Sequence, residues 1–117
     1  MNKPDISTKA DIDLFVRCFY QRALIDPEIG FLFTDIAKLD VDAHVPVIAA
    51  FWEQILLGGS NYHGRPMRPH FILHHQVPDG LQCQHFKRWL ELFAETIHES
   101  YAGPVAERAI ASAANIA

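Results

Sequence analysis

Apolar residues recur with a helical period along most of this chain, and no stretch carries the strict alternation or the tight-turn signal of a hairpin. Thr8 followed by Asp11 resembles a capping box with Asp in place of Glu, so a helix is predicted to start there. Ile12, Phe15, Val16, Phe19, Ala23 and Leu24 continue it on one face, with Tyr20 at the edge of the stripe. Asp26 before Pro27 ends it, because a residue preceding proline is pushed out of the helical region. Ile29, Phe31, Leu32 and Phe33 then suggest a short helical turn that sets aromatics against the core.

Asp40 or Asp42 can cap a second helix, in which Pro46 is tolerable only within the first turn or so. His44, Ile48, Phe51, Trp52 and Leu56 share one wide stripe on that helix. Gly58, Gly59, Gly64, Pro66 and Pro69 stop it, and Met67 to Leu73 can form only a short turn before Val77 and Pro78. Asp79 then caps a long helix with Gln82 at its third position. Its buried stripe is Leu81, Phe86, Trp89, Leu90, Phe93 and Ile97, with Lys87, Arg88, Glu91 and Glu95 outside. After Gly103 and Pro104, a last helix carries Val105, Ala106, Ala109, Ile110, Ala113 and Ile116. The pattern is all-α: four substantial helices with one irregular, histidine-bearing connection.

Composition narrows this further. A chain of 117 residues, 50% of them hydrophobic, suits a single domain over residues 1–117 that buries roughly two-thirds of its unfolded surface. A net charge of -4 with acids and bases interspersed argues against nucleic acid or an anionic membrane as partner. The opening MNKPDISTKADID is too polar for a signal peptide, and no apolar run approaches the ~18 residues of a membrane span, so a soluble, cytoplasmic protein is expected. Cys18 and Cys83 have neither CxxC nor CxxCH spacing, which removes a zinc ribbon and covalent c-type haem attachment. Cys18 is expected to be a small buried hydrophobe.

The chemistry worth weighing lies in the histidines. His44 opens an aromatic stripe, and His70 is delivered from another direction by a segment broken by prolines and glycines. A planar apolar guest between the two would fit. On the plainer reading His44 is a satisfied structural histidine, and Phe51, Trp52, Phe86 and Phe93 are ordinary core. Tyr20 is then a core-edge tyrosine and Trp89 a packing residue, although a buried indole N–H needs a partner. His70, His74 and His75 form an HxxxHH cluster that could bind zinc, but no acidic or cysteine ligand accompanies it at a familiar spacing. His63, His85 and His98 read as solvated or rim residues, with His85 able to reach the pocket's edge.

Three pieces, CFYQRALIDPEIGFLF, AHVPVIAAFWEQILLGGSNYHGRPMRPHFIL and QHFKRWLELFAETIHESYAG, in this order and at these separations, closely resemble the group III truncated haemoglobins. The resemblance runs from about Phe15 to Ala113 and rests on the FY pair, the AH...FW helix, the YHGRPMRPH segment and the FKRWLELF helix together. It implies a two-over-two helical sandwich, a shortened globin fold, holding one non-covalent haem b. By position His70 matches the proximal iron ligand and His44 the distal histidine. Tyr20 and Trp89 match the polar distal residues, and Phe33, Ile48, Phe51, Trp52, Phe86 and Phe93 match the pocket wall, to which the stripe adds Leu56. Tyr62, Arg65 and Arg68, in the approach to His70, are candidates for the haem propionates.

The residue types suit that chemistry. A neutral imidazole gives iron one axial base while its second nitrogen donates elsewhere. A phenol, an indole N–H and an imidazole N–H on the other side would hold a ligand that gathers negative charge, which predicts slow oxygen release. The leading expectation is therefore a haem protein that reversibly binds dioxygen, nitric oxide and carbon monoxide. The alternatives are a redox enzyme on the same haem, a nitric oxide dioxygenase or peroxidase that needs a separate reductase, and a haem-free helical module whose aromatic pocket takes a lipid or a partner helix.

Overall fold

A computed structural model describes residues 3–58, Gln76 and residues 80–116. Four α-helices are present among the described residues: α1 Lys9–Leu24, α2 Val41–Leu57, α3 Cys83–Ser100 and α4 Pro104–Ile116. They form the expected all-α, two-over-two sandwich. The α1/α2 pair meets the α3/α4 pair through α1 against α3 and α2 against α4. No described helix is long and apolar enough to cross a membrane.

The caps show why the helices begin where they do. Thr8 Oγ1 accepts from the Asp11 amide at 3.2 Å, and Asp11 Oδ2 accepts from the Thr8 amide at 3.0 Å, the reciprocal box read from the sequence. Asp40 is the cap of α2, accepting from the Ala43 amide at 3.3 Å, and Gly58 closes that helix at φ 79°. Helix α4 is capped from far away in sequence. The Asp5 carboxylate accepts from the amides of Val105 (3.0 Å) and Ala106 (2.8 Å), while Ile6 beside it is fully buried.

Four expectations need correction. Pro46 is the sixth residue of α2, beyond its first turn. The helix tolerates it because the carbonyl deprived of a partner belongs to Asp42, whose side chain is 92% exposed at the solvated start of the helix. Helix α3 begins at Cys83, later than a cap at Asp79 would place it. Gly80 at φ 75° and Gln82 in extended conformation hold the chain out of the helix, and His85 Nδ1 accepts the Gln82 amide at 2.9 Å in place of a carboxylate cap. Leu81, assigned to the helical stripe, therefore precedes the helix. Cys18 is half-buried and not enclosed, because it lies a position away from the centre of the α1 stripe.

The core is one cluster in which α1 gives Ile12, Phe15, Val16, Phe19, Tyr20 and Ala23, and α2 gives Val45, Ala49, Trp52 and Leu56. Helix α3 adds Leu92, Phe93 and Ile97, and α4 adds Ala106, Ala109 and Ala113, whose small side chains permit close approach. Phe86, Trp89 and Leu90, expected in the same buried row of α3, are half-buried. The short turn after Pro27 is a π-helical segment, Leu32–Ile36, with the Ala37 amide on the Leu32 carbonyl at 2.9 Å. Wider than an α-turn, it carries Phe33 toward Tyr20.

Candidate functional site

Helices α1 and α2 bring two polar groups together inside an aromatic surround. Tyr20 on α1 is buried, and its hydroxyl lies 3.1 Å from Nε2 of His44 on α2. The rings meet edge to face at 5.4 Å. His44 falls there because it sits one turn into α2, on the side of the helix shared with Ile48 and Phe51 and turned away from the Val45, Ala49, Trp52, Leu56 row. Phe33 closes against the other side of Tyr20, ring centroids 5.9 Å apart and nearly perpendicular.

Helix α3 supplies the opposite aromatic bank. Trp89 stacks on Phe93 at 5.4 Å with 15° between planes and meets Phe19 edge-on at 5.4 Å. Phe19 also touches Tyr20 at 5.2 Å, so one ring is the shared neighbour of both polar aromatics. Trp52 lies 5.1 Å from Phe93, 5.3 Å from Phe51 and 6.2 Å from Phe15. Trp52 and Leu56 are therefore core residues of α2, whereas Phe33, Ile48, Phe51, Phe86 and Trp89 stay half-buried. A set of large apolar side chains that the core does not fully cover, gathered around a phenol and an imidazole, is a wall suited to a flat apolar group with a polar centre.

Electrostatics favour the neutral forms of both polar groups. Burial pushes the Tyr20 hydroxyl far above its ordinary range, so it remains an O–H donor. Burial also holds His44 below the usual histidine value, leaving a neutral imidazole with one N–H and one acceptor nitrogen at pH 7. One proton therefore lies between Tyr20 and His44, and which group donates depends on the tautomer.

Tyr62, Arg65, Arg68 and His70 lie outside the described residues, as do His63, His74 and His75. His85 packs against Phe31 at 6.0 Å, and His98 pairs with Glu107 at 2.8 Å on the surface. The sequence reading missed Asp26 and Arg88. Arg88, assigned to solvent, reaches inward to the buried Asp26 carboxylate at 2.8 Å (Nη2) and 3.0 Å (Nε). An aspartate before proline signals the local turn, but nothing local in sequence announces an arginine more than sixty residues away.

Comparison with known proteins agrees with this fold. The family model of the bacterial-like globins matches residues 5–116. A group 3 truncated haemoglobin of Campylobacter jejuni is 33% identical over 86 residues, which make up 71% of this chain and 64% of that protein. The match therefore spans slightly less than two-thirds of the relative's length. The crystal structure of group III truncated haemoglobin from Campylobacter jejuni superposes with a TM-score of 0.80 at 26% identity, covering 97% of this chain and 88% of that one. The chain belongs to the bacterial-like globins, a family of haem-binding proteins. Within it, the similarity is to the group III truncated haemoglobins.

Proposed function

We propose that the chain holds one non-covalent haem b and binds small diatomic gases, dioxygen, nitric oxide and carbon monoxide, in a pocket walled by Phe33, Ile48, Phe51 and Phe86 and backed by the core residues Trp52, Leu56 and Phe93. His70 would hold the haem iron, and Tyr62 and Arg68 would meet its propionates. When bound, the haem supplies the iron at which a gas ligand is reversibly coordinated. The protein's own residues do the rest. The aromatic wall excludes water, which raises the worth of each polar contact inside. Tyr20, His44 and Trp89 are the three donors available to a ligand that gathers partial negative charge.

The observation that carries this reading is the 3.1 Å contact between the Tyr20 hydroxyl and His44 Nε2, buried among rings from α1, α2 and the π-helical turn. A phenol and a neutral imidazole that satisfy each other in the absence of ligand can redirect a proton outward when a polar ligand arrives, with no net burial of charge. Each such hydrogen bond is worth about 1 kcal/mol, so two donors slow ligand release by roughly tenfold or more.

Optical spectroscopy tests it. The purified chain loaded with haemin should show a Soret band, and His70→Ala should shift or abolish it. A chain that takes up no haemin, or a spectrum indifferent to His70→Ala, refutes the assignment.

A further inference from the structure

Behind the aromatic pocket, a single carboxylate ties together three of the elements that carry its polar and aromatic residues. Asp26 stands six residues after Tyr20 and seven before Phe33 in the chain. Its Oδ2 accepts from the amides of Glu28 (3.0 Å) and Ile29 (3.1 Å), and its own carbonyl accepts from the Gly30 amide at 2.9 Å, which folds the corner between α1 and the π-helical turn. Its Oδ1 takes both Nε (3.0 Å) and Nη2 (2.8 Å) of Arg88, the residue before Trp89 on α3. The Arg88 fork is itself steadied from its third nitrogen, Nη1, by Glu91 at 3.2 Å. The Asp26 side chain is only 3% exposed and that of Arg88 26%.

Stability alone is a poor explanation for such a pair. Burying the Asp26 carboxylate offsets part of its attraction to the quarter-exposed Arg88. Fixing register is the use of buried ion pairs that is best attested. In an α-helix adjacent residues are separated by a rise of only about 1.5 Å, so whatever holds the Arg88 backbone holds that of Trp89. Hydrogen bonding to a small ligand loses much of its effect with a displacement of about 1 Å.

Building on the gas-binding reading above, we propose that the Asp26–Arg88 pair is a positioning element: it sets the separation of Trp89 on α3 from Tyr20 on α1 and Phe33 on the π-helical turn, and through it the grip of the pocket on its ligand. Neither residue touches the ligand. Their effect is on where the donors stand.

The test uses the haem-loaded full chain carrying Asp26→Asn, Arg88→Met or Arg88→Lys, with Arg17→Met as control because Arg17 pairs with Asp42 in a solvent-exposed bridge between α1 and α2 that contributes little on its own. Three quantities are read: the C–O stretching frequency of the carbon monoxide adduct, the oxygen dissociation rate, and the near-ultraviolet dichroism of the tryptophans in the haem-free chain. Asp26→Asn and Arg88→Met should shift or broaden the C–O band, alter the dichroism and raise the dissociation rate about fivefold, the effect of weakening one hydrogen bond. Arg88→Lys, which keeps the charge and loses the fork, should fall between these and the wild type. Arg17→Met should match the wild type. Variants that fold and bind haem with a wild-type C–O band and dissociation rate overturn the positioning role and leave the haem reading intact. Should Asp26→Asn and Arg88→Met not fold, Arg88→Lys decides alone, and a wild-type C–O band in it overturns the proposal. A wild-type chain with no Soret band overturns both readings together.

Discussion

The hydroxyl of Tyr20 and Nε2 of His44 lie 3.1 Å apart, one from α1 and the other from α2. Two successive α-helices thus share one proton inside an apolar surround, and the residues that flank them set how firmly a ligand would be held.

Removal of either polar aromatic should loosen the ligand. Tyr20→Phe keeps the ring contacts with Phe19 and Phe33 and deletes only the hydroxyl. Trp89→Phe keeps a ring for Phe93 and deletes the indole N–H. Each should raise the oxygen dissociation rate about fivefold, the worth of one net hydrogen bond of about 1 kcal/mol, as read by stopped-flow mixing of the ferrous protein. Unchanged rates in both would show that these donors do not act on the ligand.

Gly30 should resist any side chain. A Cβ there would stand 2.7 Å from the Leu24 carbonyl oxygen and 3.3 Å from that of Ala23, backbone atoms at the end of α1 that cannot swing aside. Gly30→Ala should destabilise the protein by about 1–3 kcal/mol, the usual range for overpacking. Urea unfolding measures this directly, and because the turn leads to Phe33, a shift in the spectrum of the haem-loaded chain should accompany it.

The remote cap on α4 makes a separate claim. Asp5→Ala leaves the amides of Val105 and Ala106 without their acceptor and should cost about 1 kcal/mol in urea unfolding. The Soret band should be unaffected, since Asp5 sits at the α3–α4 corner and the polar pair sits between α1 and α2.

Acid should weaken the fold in two stages. Burial holds His44 below the ordinary histidine value, so the unfolded chain takes up a proton first. The corresponding stability is present above about pH 6.5 and is lost as the pH falls through the lower, folded value. Among the carboxylates, the Arg88 hydrogen bond lowers Asp26, and the Ser7 amide, with that of Thr8, lowers Asp11. Burial opposes ionisation of Asp5, but the amides of Val105, Ala106 and Ile6 outweigh it. These contributions are present above about pH 4, the unfolded carboxylate value, and disappear below it. Melting temperatures measured from pH 8 to pH 3 should fall gently through the histidine window and steeply below about pH 4. In His44→Gln the first decline should be absent.

Much of this was legible in the order of the residues because helices are local objects. The Thr8 and Asp11 box, the Asp40 cap and the 3.6-residue stripes each involve partners within a turn, so spacing alone located α1, α2 and α4 and drew notice to His44, while the interest of Tyr20 and Trp89 rested on the resemblance to the group III truncated haemoglobins. Where local cues competed, the reading slipped. Gly80 and Gln82 leave the helical region and delay α3 to Cys83, and the solvated start of α2, where Asp42 is exposed, lets Pro46 sit deeper in that helix than its missing N–H would suggest. The tertiary structure alone decided what depends on separation in space. It divided the large apolar residues between core and wall, with Trp52 and Leu56 enclosed and Phe33, Phe51 and Phe86 half-covered. It turned Arg88 from a solvated face toward Asp26 and put the Tyr20 hydroxyl beside His44. Periodicity records which side of a helix a residue occupies, whereas the neighbour across that face is set by how the helices pack, and packing is a property of the whole chain.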